Sequence, residues 1–209
     1  METAGMARED QKMRSGQVRQ AILDTALEMG MREGFDELSI RKIIKEMNYS
    51  TGIIYYHFKD KQEIIDAIEE KETEWLKNKI MEIIQPEMGI ISENPKMDII
   101  QEMEKVFQMI MRLAVEEPEK YNLIVLQKYS RRKPAKPGWI QYLAPRLQKA
   151  MEEGRVRKMD PGKMAFSIWS SFLGFNLMLS RYPDLSSDEA EKMFRIQFDI
   201  LIKGVLTNE

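Results

Sequence analysis

The chain has no cysteine and a single histidine among its 209 residues. The first absence excludes disulfides, thiolate metal sites and cysteine nucleophiles. The second leaves too few imidazoles for a histidine-based metal centre, so neither a metal nor a cofactor is expected. An excess of one charge is missing as well: 32 Lys and Arg stand against 34 Asp and Glu, a net charge of -2. Affinity for nucleic acid or membrane therefore has to come from local patterning and not from a global field. No segment alternates with period two, so no strand is expected, and there is no internal repeat or low-complexity tract. The opening "METAGMAREDQKMRSG" has no apolar h-region, so there is no signal peptide and the chain reads as cytoplasmic; Met6 is a second candidate start.

What is present is a globular composition, 43% hydrophobic and 32% charged, which excludes disorder. Met164 to Ser180 carries no charge over 17 residues, just short of the usual length of a membrane span. It also holds Ser167, Ser170, Ser171, Gly174 and Asn176, and a helix apolar nearly all round can equally be buried in protein. Nothing else in the chain supports a membrane, and none is expected as a partner.

Helical periodicity dominates. Val18, Ile22, Thr25, Ala26 and Met29 form one stripe, Ile40, Ile43, Ile44 and Met47 a second, Ile54 and Phe58 a third. A long helix from Glu63 to about Ile84 ends at Pro86, and "PEMGIISENPK" is a loop. Helical patterns resume over Met97 to Glu117, Pro118 to Ser130, Gly138 to Glu153, Pro161 to Arg181 and Ser187 to Leu206. The expected fold is all-α with about nine helices. Short helices give way to long, Met- and aromatic-rich ones near residue 62. This predicts a small domain over 1–62, with 1–15 a flexible tail, and a larger one over 63–209.

The stretch "NYSTGIIYYHFKDK", Asn48 to Lys61, concentrates aromatic and polar groups in a few turns. Ser39 is a plausible N-cap for the preceding helix, and Ser50 for the next. Asn48 tolerates the left-handed conformation that ends a helix. Two short helices joined this tightly form a helix-turn-helix, which lays its second helix in the DNA major groove. Ile54 and Phe58 can anchor that helix, leaving Thr51, Gly52, Ile53, Tyr55, Tyr56 and His57 on outer faces. Two readings stand: contact with DNA, or partly buried core aromatics beside a surface histidine.

The segment "GFDELSIRKIIKEMNYSTGIIYYHFKDKQEIIDAI" resembles the DNA-binding segment of the TetR family of bacterial and archaeal transcriptional regulators. The match begins at "ILDTALEMGMREGF", covers the first third of the chain, and rests on "GF", the Ser-Ile-Arg start, "YYHF" and "KDK" at these spacings. The resemblance implies a DNA-binding set of Ser39, Arg41, Ser50, Thr51, Gly52, Ile53, Tyr55, Tyr56, His57 and Lys61. Ser39, Tyr55, His57 and Lys61 resemble phosphate contacts, Arg41 a phosphate or base-edge contact, Tyr56 a groove or backbone contact. Asn48 stands where the family commonly has Gly, Ile53 where Thr is common, and Tyr49 where a smaller aliphatic is usual. Lys12, Arg14 and Arg19 are either a minor-groove arm or part of a solvated tail.

The resemblance further implies a helical domain for ligand binding and dimerisation. A homodimer doubles the base contacts of a lone helix-turn-helix. Its expected interface is Trp169, Ser170, Leu173, Gly174 and Leu177 with Phe194, Phe198, Leu201, Ile202 and Val205; an intrachain core is the alternative. An effector pocket is expected among Trp75, Met103, Phe107, Met111, Tyr121, Tyr129, Trp139, Trp169 and Phe172, with Leu126 and Tyr142 further candidates, although Met and aromatics at helical spacing also build ordinary cores. The basic "KYSRRKPAKPGW" either steers an anionic effector or is a solvated loop. Together these readings predict a repressor that binds a palindromic operator in double-stranded DNA and is released by a small apolar or amphipathic effector. Enzyme chemistry based on His57 would need an oriented Ser or Cys partner, and no such constellation is visible. A helical ligand-binding adaptor without DNA affinity is the third alternative.

Overall fold

The computed structural model describes residues 2–84, 98–130, 138–182 and 184–206, without the side chains of 2–12, Lys128 and Ser130. The elements are α1 (Glu2–Glu33), α2 (Ile40–Met47), α3 (Thr51–His57), α4 (Lys61–Ile84), α5 (Ile99–Glu116), α6 (Pro118–Tyr121), α7 (Gln127–Ser130), α8 (Gly138–Glu152), α9 (Pro161–Leu179) and α10 (Ser187–Lys203). A π-helical stretch, Asn122–Leu126, joins α6 to α7, so 118–130 is one helical run. Extended pairing among the described residues is limited to one isolated bridge, Val156 with Leu206. The fold is all-α. The expected loop over 86–96 lies outside the described residues, as do residues 131–137 of the basic stretch.

Two boundaries differ from expectation. The chain divides into compact units Met1–Glu74 and Trp75–Glu209, so the division falls inside α4 and not after Gln62. The physical reason is that Ile64, Ile65 and Ile68, in the first turns of α4, are buried and belong to the small unit. Residues 2–15 are helical, continuous with the rest of α1, and not a separate tail. Their composition, with Ala4, Ala7, Glu9, Gln11, Lys12 and Met13, favours helix propagation.

In the first unit, Ile22, Leu23, Ala26 and Met29 of α1 are buried, as are Ile43, Ile54 and Phe58. A single 3-10 turn, Phe35–Glu37, follows α1 and buries Phe35. The Phe35 ring lies so close to Gly30 that a β-carbon there would come within 2.4 Å of it. Lys61 Nζ donates to the carbonyl of Asp36 at 2.6 Å, tying the start of α4 to this turn.

The second unit is organised around α5, which packs on α9, α10 and α8. Phe107 of α5 stacks on Phe172 of α9 with ring centroids 4.0 Å apart and 10° between planes. Trp139, Trp169 and Phe198 complete an aromatic cluster around Phe107. Helix α9, uncharged after Lys163, buries Met164, Ala165, Ile168, Trp169, Phe172, Asn176 and Leu179, and turns Phe166, Leu177 and Met178 outward. No helix among the described residues is long and apolar enough to cross a membrane.

One buried charge ties α5 to α8. Glu102 is fully buried and accepts from Arg146 Nη2 at 2.5 and 2.6 Å and from the Tyr142 hydroxyl at 3.2 Å. Burial pushes its carboxyl above the ordinary value, and the Arg146 charge opposes that rise.

Two outcomes follow from this packing. Gly30→Ala forces the Phe35 ring to move and lowers unfolding stability by about 1–3 kcal/mol in a denaturant titration. Arg146→Met leaves Glu102 buried without its cation and costs about 3 kcal/mol at neutral pH. Because the folded-state pKa of Glu102 is raised, the folded state holds the proton more tightly than the unfolded chain. The loss in Arg146→Met therefore shrinks as pH falls through that pKa, and urea midpoints measured across the acid range read it out.

Candidate functional site

The turn between α2 and α3 is built as the residue types require. Ser39 is extended and its Oγ accepts from the Lys42 backbone N–H at 3.3 Å, capping α2. At the other end Asn48 is left-handed, with φ 53, and the N–H groups of Asn48 and Tyr49 both reach the Ile44 carbonyl. Asn performs there without glycine because its short polar side chain tolerates this region. Ser50 then leads into α3 with extended backbone, and its side chain makes no capping bond.

The short α3 is held by two side chains one turn apart. Ile54 is fully inaccessible and Phe58 nearly so. The guanidinium of Arg19 lies over the Phe58 ring, 4.9 Å from its centroid, so α1 also grips the end of α3. With that face committed, the remaining groups project outward. Tyr56 is 77% exposed, and Thr51, Gly52, Ile53 and Tyr55 are exposed too. His57 is half-buried, with Tyr56 edge-on to its ring at 4.9 Å. Nothing lies within 4 Å of the place a β-carbon would take on Gly52.

The cations around this surface divide by partner. Arg41 is exposed in the first turn of α2. Lys42 is bound to Glu33 at 3.0 Å, and Glu33 also accepts from Arg32 at 2.8 Å. Those two hydrogen bonds, that from Arg32 first, hold the Glu33 carboxyl below its ordinary value. Lys61 is only half-exposed and is committed to the Asp36 carbonyl, so it positions α4 and is not a free cation beside Tyr55 and Tyr56. Lys59, which the expected set omits, is exposed just past α3. In the same segment Asp60 Oδ1 accepts from the Glu63 N–H at 2.9 Å while Glu63 Oε2 accepts from the Lys59 N–H at 2.8 Å. This reciprocal cap explains the acid inside "KDK", and the Asp-x-x-Glu spacing is its sequence signal.

The expected effector residues are less uniform. Met103, Phe107, Met111, Tyr121 and Phe172 are core side chains, and Trp169 is nearly so. An open groove of about 260 Å³ lies on the second unit, lined by Trp75, Lys105, Gln108, Met109, Arg112, Leu113, Glu116 and Glu117. Only Trp75 of the expected set lines it. Lys120 sits over the Trp75 ring at 3.9 Å. Tyr129 is exposed, and its hydroxyl accepts from Trp169 Nε1 at 2.6 Å. Trp139 is half-buried and stacks on Tyr142. Leu126 is half-buried at the end of the π-helical stretch.

The expected dimer residues also separate. Trp169, Phe194, Phe198, Ile202 and Val205 bury inside the protomer, because their faces of α9 and α10 meet the rest of the unit. They are corrected to core. Ser170, Leu173, Gly174, Leu177 and Leu201 keep exposed or half-exposed surface. Beside them stand further exposed apolar side chains: Phe166 on α9, and Met193, Ile196 and Ile200 on α10. Ile196 and Ile200 are 63% and 64% exposed at a spacing of one turn. That i, i+4 pair is present in the sequence, but the bulkier Phe194 and Phe198 stripe beside it carries the stronger apolar signal.

Residues 22–68 match the family model of bacterial regulatory proteins, tetR family. Over 57 residues the chain is 38% identical to the HTH-type transcriptional regulator AcrR of Shigella flexneri, a match spanning 27% of this chain and 26% of that one. Solved structures share the fold across nearly the whole length. A TetR-family transcriptional regulator from Pectobacterium atrosepticum has a TM-score of 0.63 at 16% identity, covering 94% of this chain and 97% of its own. SmeT, the repressor of a multidrug efflux pump of Stenotrophomonas maltophilia, has a TM-score of 0.66 at 18% identity, covering 91% of each chain. Residues 22–68 are thus similar to the bacterial regulatory proteins of the tetR family, and the all-helical fold is shared with solved structures along nearly the whole chain.

Proposed function

We propose that the chain is a homodimeric, ligand-responsive transcriptional repressor. In this reading α2 and α3 bind a palindromic operator, and a small apolar or amphipathic effector held in the second unit releases it. The observation that carries the reading is α3 itself. Two buried residues fix it, while Thr51, Ile53, Tyr55 and Tyr56 stand in solvent. Large aromatics so exposed on a rigid short helix are better explained by an outside partner than by the core. Gly52 fits the same reading: nothing in the surrounding structure lies within 4 Å of the β-carbon position, so the backbone there is open to an approaching partner.

On DNA, Tyr55, Ser39 and Lys59 donate to phosphate, Arg41 reaches phosphate or a base edge, and Ile53 meets a thymine methyl. Two copies place two such helices in successive major grooves, about 34 Å apart. The copies associate through the exposed apolar surface of α9 and α10, where Phe166, Leu177, Ile196 and Ile200 otherwise face water. Because α4 contributes to both units, an effector that shifts it changes the fit of both recognition helices. It does so only by binding the released state more tightly than the operator-bound one.

Selection of tight binders from a random duplex pool, followed by anisotropy, tests this. A palindromic site is expected, with affinity falling steeply with log salt. Non-specific binding at every salt concentration sinks the proposal. Arg41→Ala and Tyr55→Ala each lower operator affinity, and removing a phosphate-binding group flattens the salt slope by about 1. Gly52→Ala raises fold stability by about 1 kcal/mol yet weakens the operator complex. Ile196→Arg combined with Ile200→Asp gives a monomer in sedimentation and abolishes the palindrome preference; a dimer that survives both changes places the interface elsewhere.

A further inference from the structure

The core of the second unit contains a polar pair that the packing does not explain. Asn176 is 0% exposed in the last turn of α9, and both its Oδ1 and its Nδ2 lack a hydrogen-bond partner. Tyr121 is likewise fully buried, and its hydroxyl has no partner of normal geometry, although the Asn176 amide is close enough to temper the rise that burial imposes on the phenol. Leaving such groups unmatched is unfavourable, since an apolar residue of the same shape would serve a core better. An unmatched amide beside an unmatched hydroxyl is instead what a site presents before its ligand arrives.

The surroundings define the class of ligand. Phe172 lies one turn before Asn176 on α9, stacked on Phe107, with Trp169 one further step along the same face. These rings form flat apolar walls suited to a ring-shaped body. Trp169 Nε1 donates to the hydroxyl of the exposed Tyr129 at 2.6 Å, so the aromatic cluster reaches the surface at Tyr129. Among the described residues, no charged side chain hydrogen-bonds to Asn176 or Tyr121. Lys120, its neighbour in sequence, is turned toward Trp75 and Glu117. A buried ionic ligand would lack a counter-charge here. Tyr121 also borders the π-helical stretch Asn122–Leu126, a form of helix that recurs at functional sites.

We propose that Tyr121 and Asn176 form the polar end of the effector site and recognise a neutral ring-bearing molecule through its hydroxyl or carbonyl group. The assignment rests on the regulator reading and adds to it the chemistry of the effector. Asn176 can accept from a hydroxyl or donate to a carbonyl, and Tyr121 can supply the complementary bond.

Thermal unfolding of the full chain with four aromatic probes of one size tests it: acetophenone, benzyl alcohol, benzoate and benzylammonium. The neutral pair is expected to raise the midpoint and the ionic pair to leave it unchanged. Asn176→Leu is expected to unfold at or above the wild-type temperature and to bind the neutral probes about tenfold more weakly, with Tyr121→Phe acting in the same direction. Unchanged neutral-probe binding in both variants overturns the proposal. So does equal stabilisation by the ionic probes, or no shift of the wild type by either neutral one. Operator binding is read separately. A chain that takes the neutral probes in this way but selects no DNA site keeps the Tyr121–Asn176 site and loses the regulator reading. A chain that selects an operator but takes no neutral probe does the reverse.

Discussion

Burial of Ile54 and Phe58 is the constraint on which the DNA-facing surface depends. Helix α3 has only seven residues, too few to be stable alone, so its form and its aim come from tertiary anchoring. Two anchors one turn apart fix the rotation of the helix about its own axis. That rotation decides which side chains face outward. Phe58 is held from both sides of the sequence, by the core beneath it and by the Arg19 guanidinium above its ring. The cap at Ser39 and the left-handed Asn48 set the angle of the preceding helix, so three local devices and one small core place the whole surface.

The second unit shows a different balance. Its aromatic centre, Phe107 on Phe172, is packed closely, yet it tolerates a buried Glu102–Arg146 pair and an unmatched Asn176. A core designed only for stability would carry neither. The ion pair joins α5 to α8 through Arg146 Nη2, although Arg146 Nε has no hydrogen-bond partner. The Asn176 amide has no partner on either its oxygen or its nitrogen. On α10, Ile196 and Ile200 are likewise left exposed, 63% and 64%.

The helices, their order and their approximate ends were legible in the sequence, because period-four apolar spacing and Pro, Gly and Ser punctuation are local signals. So was the helix-turn-helix, from Ser39, Asn48 and Ser50 with the "YYHF" run. The start of α4 illustrates the limit. Lys61 has the sequence position of a cation for phosphate, but its ammonium closes a 3-10 turn at Asp36, 25 residues earlier in the chain. Spacing within one helix cannot show a partner on another segment. The domain boundary shifted for the same reason: Ile64, Ile65 and Ile68 read as the opening of a new helix, and only packing reveals that they close the small core.

By itself, then, the sequence determined the helical class and the position of the helix-turn-helix, since each follows from periodicity and capping along the chain. Tertiary structure decided which apolar residues of α9 and α10 turn inward and which stay exposed. It also decided that Asn176 and Tyr121 meet in the core, 55 residues apart in sequence, with no partner to satisfy them. Two apolar stripes on one helix cannot be assigned to core or surface until a neighbour covers one of them.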